Sequence, residues 1–321
     1  MTEMRRCMVV VVCWAWWATP VSARDWKDGC PPYVRAFDPA HAPRAADFGT
    51  SADVDSALGP SRLTLSGRAA SLSAADGDPL RRSLDGHLLA GRAVLALNFN
   101  GPSLMFAYAY GAHDGTQATG RTLGTLMTYV GFRRTGLVLG DALRVGSSLR
   151  IGMGSSPSIS VGKDGSSPDG EHAETLARAS PFESEAFAFD RPVVVSLESR
   201  IEVVGCYAPF LALRADVVEW REGFDMPRSR NASLWALPLR LTVGGFVTKP
   251  SMQVALALEA GFELRSSALG YHRTGRVRVL VELPMSKLRF GIYGGGFFGD
   301  SKGGELGVVT SVGFDGGSVL Q

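Results

Sequence analysis

Lysine is scarce in this chain of 321 residues, and its placement is uneven. The five lysines are Lys27, Lys163, Lys249, Lys287 and Lys302, and each falls in a predicted linker, turn or loop. A soluble β-sandwich would be expected to carry lysine along the solvent-facing positions of its strands. Because arginine, glutamate and aspartate take those positions here, the pattern favours an enclosed interior over open solvent.

The sequence also lacks long apolar runs and several short motifs of enzymes and binding proteins. No segment beyond the N-terminus approaches the roughly 20 apolar residues that a transmembrane helix requires. There is no His-Glu-x-x-His metal site and no phosphate-binding glycine loop. The basic residues are dispersed rather than gathered into a patch for nucleic acid. We therefore expect no cofactor, no metal site and no nucleic-acid partner.

The N-terminus has the pattern of an export signal. Arg5 and Arg6 precede an apolar core at residues 8–18, and Val21-Ser22-Ala23 supplies the small residues of a cleavage site. We expect a signal peptide at 1–23. A Pro- and Ala-rich periplasmic extension or linker is then expected at 24–60.

The clearest pattern in the chain is an unbroken alternation across residues 252–265. The apolar face carries Met252, Val254, Leu256, Leu258, Ala260, Phe262 and Leu264, and the other face carries small and charged residues. Successive side chains of a strand point to opposite faces, and this segment is about twice the usual strand length. A long strand with one apolar face is typical of the wall of a bilayer-spanning barrel.

About twelve segments alternate in this way, with weaker patterns at 61–68 and 122–132. The predicted strands are 61–68, 88–99, 104–112, 122–132, 137–153, 185–204, 208–220, 233–247, 252–265, 275–283, 287–298 and 304–314. Short and long connections alternate between them. Tight turns are predicted at 100–103, 133–136, 205–207, 248–251 and 284–286. Longer polar loops are predicted at 69–87, 113–121, 154–184, 221–232, 266–274 and 299–303.

This regular alternation of connections predicts an all-β fold, an antiparallel up-and-down transmembrane β-barrel over residues 61–314. Short periplasmic turns and longer outer loops are expected in such a barrel, and a C-terminal tail follows at 315–321. The loop at 154–184 is the longest, and it either folds into the mouth of the barrel or extends outward.

The last predicted strand resembles the closing strand of bacterial outer-membrane β-barrel proteins. Leu306, Val308, Thr310, Val312 and Phe314 share one face, and closing strands of that family commonly end in an aromatic residue. The resemblance implies a lipid bilayer around the barrel and the barrel-assembly machinery as a partner during biogenesis. The sequence departs from the pattern because residues 315–321 follow the aromatic residue.

Charged residues are predicted to line the lumen. They are Arg92, Arg144, Arg150, Glu198, Arg200, Glu202, Arg214, Asp216, Arg240, Glu259, Glu263, Arg265, Arg276, Arg278, Glu282 and Arg289. A basic lining favours anions, so one prediction is a passive, anion-preferring pore for small solutes or ions. In the alternative, the charges pair across strands and fill a closed structural or surface barrel.

Two other functions stay open. A secreted or periplasmic soluble β-sandwich that binds a ligand or partner is the main rival to an outer-membrane barrel. An outer-membrane protease or lipid-modifying barrel is less favoured, although His87, His113, His172 and His272 all fall in predicted outer loops. A general base needs hydrogen-bond geometry to a nucleophile, which the adjacency of His113 and Asp114 does not supply. We assign no catalytic residue.

Two cysteines remain after removal of the signal peptide, Cys30 in the extension and Cys206 in a predicted periplasmic turn. Both would lie on one side of the membrane in an oxidising compartment, where disulfides form. A disulfide that ties the extension across the mouth of the barrel is therefore one hypothesis, and two free thiols are the other.

Overall fold

A computed structural model describes fourteen β-strands and the residues next to them. The described residues are 61–74, 86–99, 101–115, 119–123, 126–138, 143–154, 159–162, 182, 192–203, 209–221, 233–249, 252–267, 270–285 and 288–314. The strands are β1 (Ser61–Ala74), β2 (Gly86–Asn98), β3 (Pro102–Gly115), β4 (Thr119–Leu123), β5 (Met127–Val138), β6 (Leu143–Gly154), β7 (Ile159–Gly162), β8 (Val193–Val203), β9 (Phe210–Arg221), β10 (Ser233–Lys249), β11 (Met252–Ser267), β12 (Gly270–Met285), β13 (Leu288–Gly299) and β14 (Ser301–Phe314).

The strands form one closed antiparallel sheet. Each strand of the wall pairs with its neighbours in sequence order, and β1 pairs with β14, where Ser61 lies opposite Phe314. The short strands β4 and β7 continue β5 and β6, so the wall has 12 positions. The predicted up-and-down barrel is confirmed, because each of the twelve long strands pairs with a neighbour on both sides, whereas the short β7 pairs with β4 alone.

A bulge separates β4 from β5. Ala107 of β3 pairs with Met127 of β5, whereas Tyr110 of β3 pairs with Leu123 of β4. The β4–β5 side therefore uses one residue more than β3 over this stretch, which is the definition of a β-bulge. Sequence alternation is lost at a bulge, and this explains the weak pattern at 122–132.

Apolar side chains face outward along the wall. In the middle of the sheet Leu258 of β11 pairs with Val243 of β10 and Val279 of β12. These three side chains are 51%, 50% and 50% exposed. Exposed large hydrophobic side chains occur on each of the twelve wall positions, whereas the residues between them in sequence are buried in the lumen. An apolar exterior around a polar interior is the pattern of a transmembrane barrel.

Aromatic side chains gather on the exterior near the ends of several strands, which is the placement typical of an interfacial girdle. Tyr108, Tyr110 and Phe298 are exposed, and the Trp235 and Tyr271 rings lie 5.9 Å apart. Phe297 differs, because its side chain is buried on the inner face.

Several predicted connections are wrong. Residues 133–136 lie within β5, where Arg134 pairs with Ser147 of β6, so no turn forms there. The predicted loops 266–274 and 299–303 are mostly strand, because β11 and β12 extend to Ser267 and Gly270 and only Asp300 separates β13 from β14. Lys249 and Lys302 accordingly lie at strand ends.

The predicted signal peptide, the extension at 24–60, the tail at 315–321, Cys30 and Cys206 lie outside the described residues. None of the described residues forms a helix with the length and hydropathy needed to cross a bilayer.

Candidate functional site

The charged residues that the sequence pattern assigned to the lumen all lie in described strands. Each of the following is buried: Arg92, Arg144, Arg150, Glu198, Arg200, Glu202, Arg214, Asp216, Arg240, Glu259, Glu263, Arg265, Arg276, Arg278, Glu282 and Arg289. They come from β2, β6, β8, β9, β10, β11, β12 and β13, whereas β3 and β5 contribute none of them.

Three further buried charges escaped the sequence prediction, namely Arg62 and Arg68 of β1 and Glu305 of β14. The alternation in 61–68 is weak. Around Glu305, the glycines at 303, 304 and 307 leave few side chains to define an inner and an outer face. With them, the buried charges of the described residues are twelve arginines and seven carboxylates. The described lumen therefore has an excess of positive charge.

The densest ion-pair network joins β1, β11, β12 and β14. Glu259 accepts from Arg276 at 2.6 Å and from Arg278 at 3.0 Å. Glu305 lies 3.3 Å from Arg68 and about 4 Å from both arginines of β12. One carboxylate of β11 therefore holds two neighbouring guanidinium groups of β12, and Glu305 joins them to the strand that closes the barrel.

Smaller groups of charges continue around the wall. Arg214 donates to Asp216 at 3.0 Å, and Arg240 lies 3.7 Å from the same carboxylate. Near the end of the barrel where β8 runs toward β9, Arg144 pairs with Glu202 at 3.3 Å. Buried pairs of this kind offset the cost of removing charge from water when their geometry is good.

Phe182 is buried inside the barrel, although it lies in sequence between β7 and β8. Its N–H donates to Glu263 at 2.5 Å, and its carbonyl oxygen accepts from Arg240 at 2.6 Å. The guanidinium carbon of Arg276 lies 4.2 Å from the centroid of the Phe182 ring. The side chain of Phe182 is 0% exposed.

A glycine makes room for the Phe182 ring. Gly261 of β11 pairs directly with Arg240 of β10 and Arg276 of β12, so it lies between two arginines on one row of the sheet. A Cβ atom at Gly261 would lie 2.8 Å from the ring. We call the surface formed by Arg240, Gly261, Glu263 and Arg276 the aromatic notch.

Phe182 could not be identified from the sequence because an isolated aromatic residue in a long connection has no periodic signal. Gly261 did offer a signal, since it stands between Glu259 and Glu263 on the inward row. A glycine within a strand often marks the close approach of another group.

The lumen also has an apolar stripe beside the charges. Nine buried residues of β2, β3, β5, β8, β9 and β10 form it: Val94, Ala96, Met105, Ala107, Met127, Tyr129, Val194, Val218 and Ala236. At its border Arg150 donates to the sulfur of Met105 at 3.0 Å. The stripe gives β3 and β5 an apolar inner face, and on β2, β8, β9 and β10 it lies beside the buried charges.

The histidines are placed differently from the prediction. His87, His113 and His272 lie in β2, β3 and β12 rather than in loops, and His172 lies outside the described residues. Over the described parts of the wall, no group of three His, Cys, Asp or Glu residues is arranged to hold a metal ion.

Residues 299–303, Gly-Asp-Ser-Lys-Gly, match the spacing of a serine nucleophile motif. Here they form the tight turn between β13 and β14, where Gly299 has φ 96° and the Asp300 carboxylate accepts from the Arg273 N–H at 2.7 Å. A nucleophile elbow instead joins a strand to a helix, so this turn does not present a catalytic serine.

Comparison with known proteins finds matches among solved structures. No protein-family model and no curated protein matches the sequence. Among solved structures, an outer membrane channel from Pseudomonas putida F1 matches with a TM-score of 0.48 and 12% identity, covering 79% of this chain and 96% of that one. The β domain of the Bordetella autotransporter BrkA matches at 0.45 and 12%, with coverages of 79% and 100%. The NanC porin matches at 0.42 and 7%, with coverages of 78% and 100%.

Proposed function

We propose that this protein is an outer-membrane barrel of a bacterium, exported by a cleaved signal peptide, and that its lumen is closed by its own side chains. The observation that carries the proposal is the burial of the charged lumen side chains. Arg276, Arg278 and Glu198 are 0–1% exposed. Side chains that line a wide aqueous channel keep contact with solvent, whereas these three are almost fully covered, and the Phe182 ring packs against Arg276.

The apolar exterior supports the bilayer as the partner of the outer wall. Contiguous apolar patches on soluble monomers rarely exceed a few hundred Å², whereas here the apolar row passes around the whole wall. A lipid bilayer removes such a surface from water and leaves the charged lumen enclosed. Together with the export signal, this supports folding by the barrel-assembly machinery in the outer membrane.

An anion-preferring pore is the second candidate, and the excess of arginine favours it. Twelve buried arginines against seven buried carboxylates attract anions into any water-filled path along the described lumen. Small anionic solutes or ions would be the permeant species. This candidate requires that the lumen opens beyond the state described above.

Recordings in planar lipid bilayers separate the two candidates. A closed barrel gives no stable conductance steps in symmetric KCl, although insertion is verified by heat-modifiable migration of the recovered protein. Stable steps whose reversal potential in a salt gradient indicates chloride preference would overturn the closed barrel and support the pore. The variant Arg276→Gln then tests selectivity. If this arginine lines a pore, removing its charge should lower the anion preference measured from the reversal potential.

A further inference from the structure

The contacts of Phe182 have the polarity of a ligand site for an amino acid. A carboxylate of Glu263 receives the nitrogen of Phe182, and the guanidinium of Arg240 donates to its carbonyl oxygen. The ring lies over Gly261 and beside two guanidinium groups, with centroid distances of 4.2 Å to Arg276 and 5.8 Å to Arg240. The N–H of one residue therefore meets a carboxylate, and the carbonyl oxygen of the same residue meets a guanidinium group.

A free aromatic α-amino acid matches this arrangement better than a residue within a chain does. Its ammonium group would replace the peptide N–H opposite Glu263, and its carboxylate would replace the carbonyl opposite Arg240. Each hydrogen bond would then join two groups of opposite charge, so Coulomb attraction would add to bonds that already have one ionised partner. A planar ring is required beside Arg276, since a guanidinium is attracted to the face of an aromatic ring.

The backbone conformation of Phe182 also indicates that contacts with its surroundings hold this residue in place. Its φ is 69°, in the left-handed region that a bulky side chain rarely adopts. Contacts with the notch compensate for this conformation. A free amino acid has no preceding peptide and avoids that strain.

We propose that the aromatic notch is a binding site for aromatic α-amino acids, occupied in this structure by the chain's own Phe182. Glu263 selects the ammonium group, Arg240 selects the carboxylate, and Gly261 together with Arg276 selects the ring. Such a site could be occupied whether the barrel is closed or conducting, so it is independent of both candidate functions above.

The test removes the ring that anchors residue 182 in the notch, so that a free ligand has only the two backbone hydrogen bonds to Glu263 and Arg240 to displace. The variant Phe182→Gly removes the ring and leaves the wall residues unchanged, and Phe182→Ala is the second variant if the glycine variant does not fold. Each protein is refolded in detergent, and the temperature at which the heat-modifiable folded band is half lost is measured with and without L-phenylalanine. We expect a rise of about 3–6 °C at a concentration ten times the dissociation constant.

Matched ligands and variants decide whether the rise comes from the notch. L-Alanine lacks the ring, and 3-phenylpropionate lacks the ammonium group, so both should stabilise the Phe182→Gly variant much less. The wild-type protein should respond less as well, because its own ring fills the notch. Adding Gly261→Ala to Phe182→Gly should abolish the response, since the new methyl group would lie only 2.8 Å from the nearest carbon of a ring bound at this position.

Three results would overturn the proposal. They are no response of either Phe182 variant to L-phenylalanine, an equal response to L-alanine, or a response that survives Gly261→Ala. If both variants fail to refold, binding of radiolabelled L-phenylalanine to the wild-type protein is measured by equilibrium dialysis against the Gly261→Ala variant. Because the ligand must then displace Phe182, the dialysis is carried to the solubility limit of L-phenylalanine. Weak binding that is lost in the Gly261→Ala protein supports the site, and no binding to wild type at that limit overturns it.

Discussion

Replacement of one outward leucine tests the environment of the barrel exterior. Leu258 lies near the middle of β11 and pairs with Val243 and Val279 on the neighbouring strands. All three side chains are about half exposed on the same outer row. Leu258→Arg therefore places one charge among apolar neighbours on the outer face, without a change in the lumen.

The expected magnitude depends on what surrounds this row. An arginine near the midplane of a bilayer destabilises a transmembrane barrel by about 2–4 kcal/mol. That free energy corresponds to a decrease in the folding equilibrium constant of about 30-fold to nearly 1,000-fold. At the same exposed position in water, a surface substitution changes stability by only about 0.5 kcal/mol or less.

The assay is equilibrium unfolding in urea of protein folded into phosphatidylcholine vesicles, with the folded fraction read from the heat-modifiable band. Ser73→Arg is the matched control, because Ser73 is exposed at the end of β1 opposite Lys302. We expect this control to remain within about 0.5 kcal/mol of wild type, near the interface. A Leu258→Arg protein as stable as the Ser73→Arg protein would refute a lipid-facing row.

Other expectations concern the lumen, the packing and the thiols. Glu259→Gln removes the carboxylate shared by two buried arginines and should lower the free energy of unfolding by about 3–5 kcal/mol. An effect below about 1 kcal/mol in the same urea assay would contradict the ion-pair network. Gly152→Ala should destabilise the barrel by about 1–3 kcal/mol because its new methyl group collides with the Tyr129 ring. Gly67→Ala is its control, since the nearest atom to a Cβ there is 3.7 Å away, and equal effects would contradict the packing. If Cys30 and Cys206 are bonded, alkylation without reductant leaves the mass of the mature chain unchanged, whereas two free thiols add two adducts.

Alternation in the sequence predicted the fold because one physical rule governs each wall strand. Lipid on one side and the lumen on the other impose a period of two, so the pattern at 252–265 anticipated β11 and its two faces. The same rule placed Glu259 on the inner row, opposite the arginines of β12.

Strand ends could not be predicted by the same rule. Beyond the bilayer both faces of a strand meet water, so polar residues such as His272 and Arg273 continue β12 without an apolar row. Arg133 to Gly136 have the composition of a turn, yet pairing with β6 keeps them in the wall. Tertiary pairing overrides local turn preference in both places.

The aromatic notch could not be assembled from sequence because its parts are distant in the chain. Arg240, Gly261 and Arg276 meet only through the register of three strands. Phe182 reaches them from a connection that carries no periodic signal. Only the register and the contacts of the folded chain bring these residues together.

Fractionation of the exporting cell tests the central claim most directly. A transmembrane barrel should sediment with the outer membrane, resist extraction by alkaline carbonate, dissolve in detergent, and migrate faster on a gel before boiling than after it. Recovery of the folded, exported protein in the periplasm or medium without detergent would contradict the account.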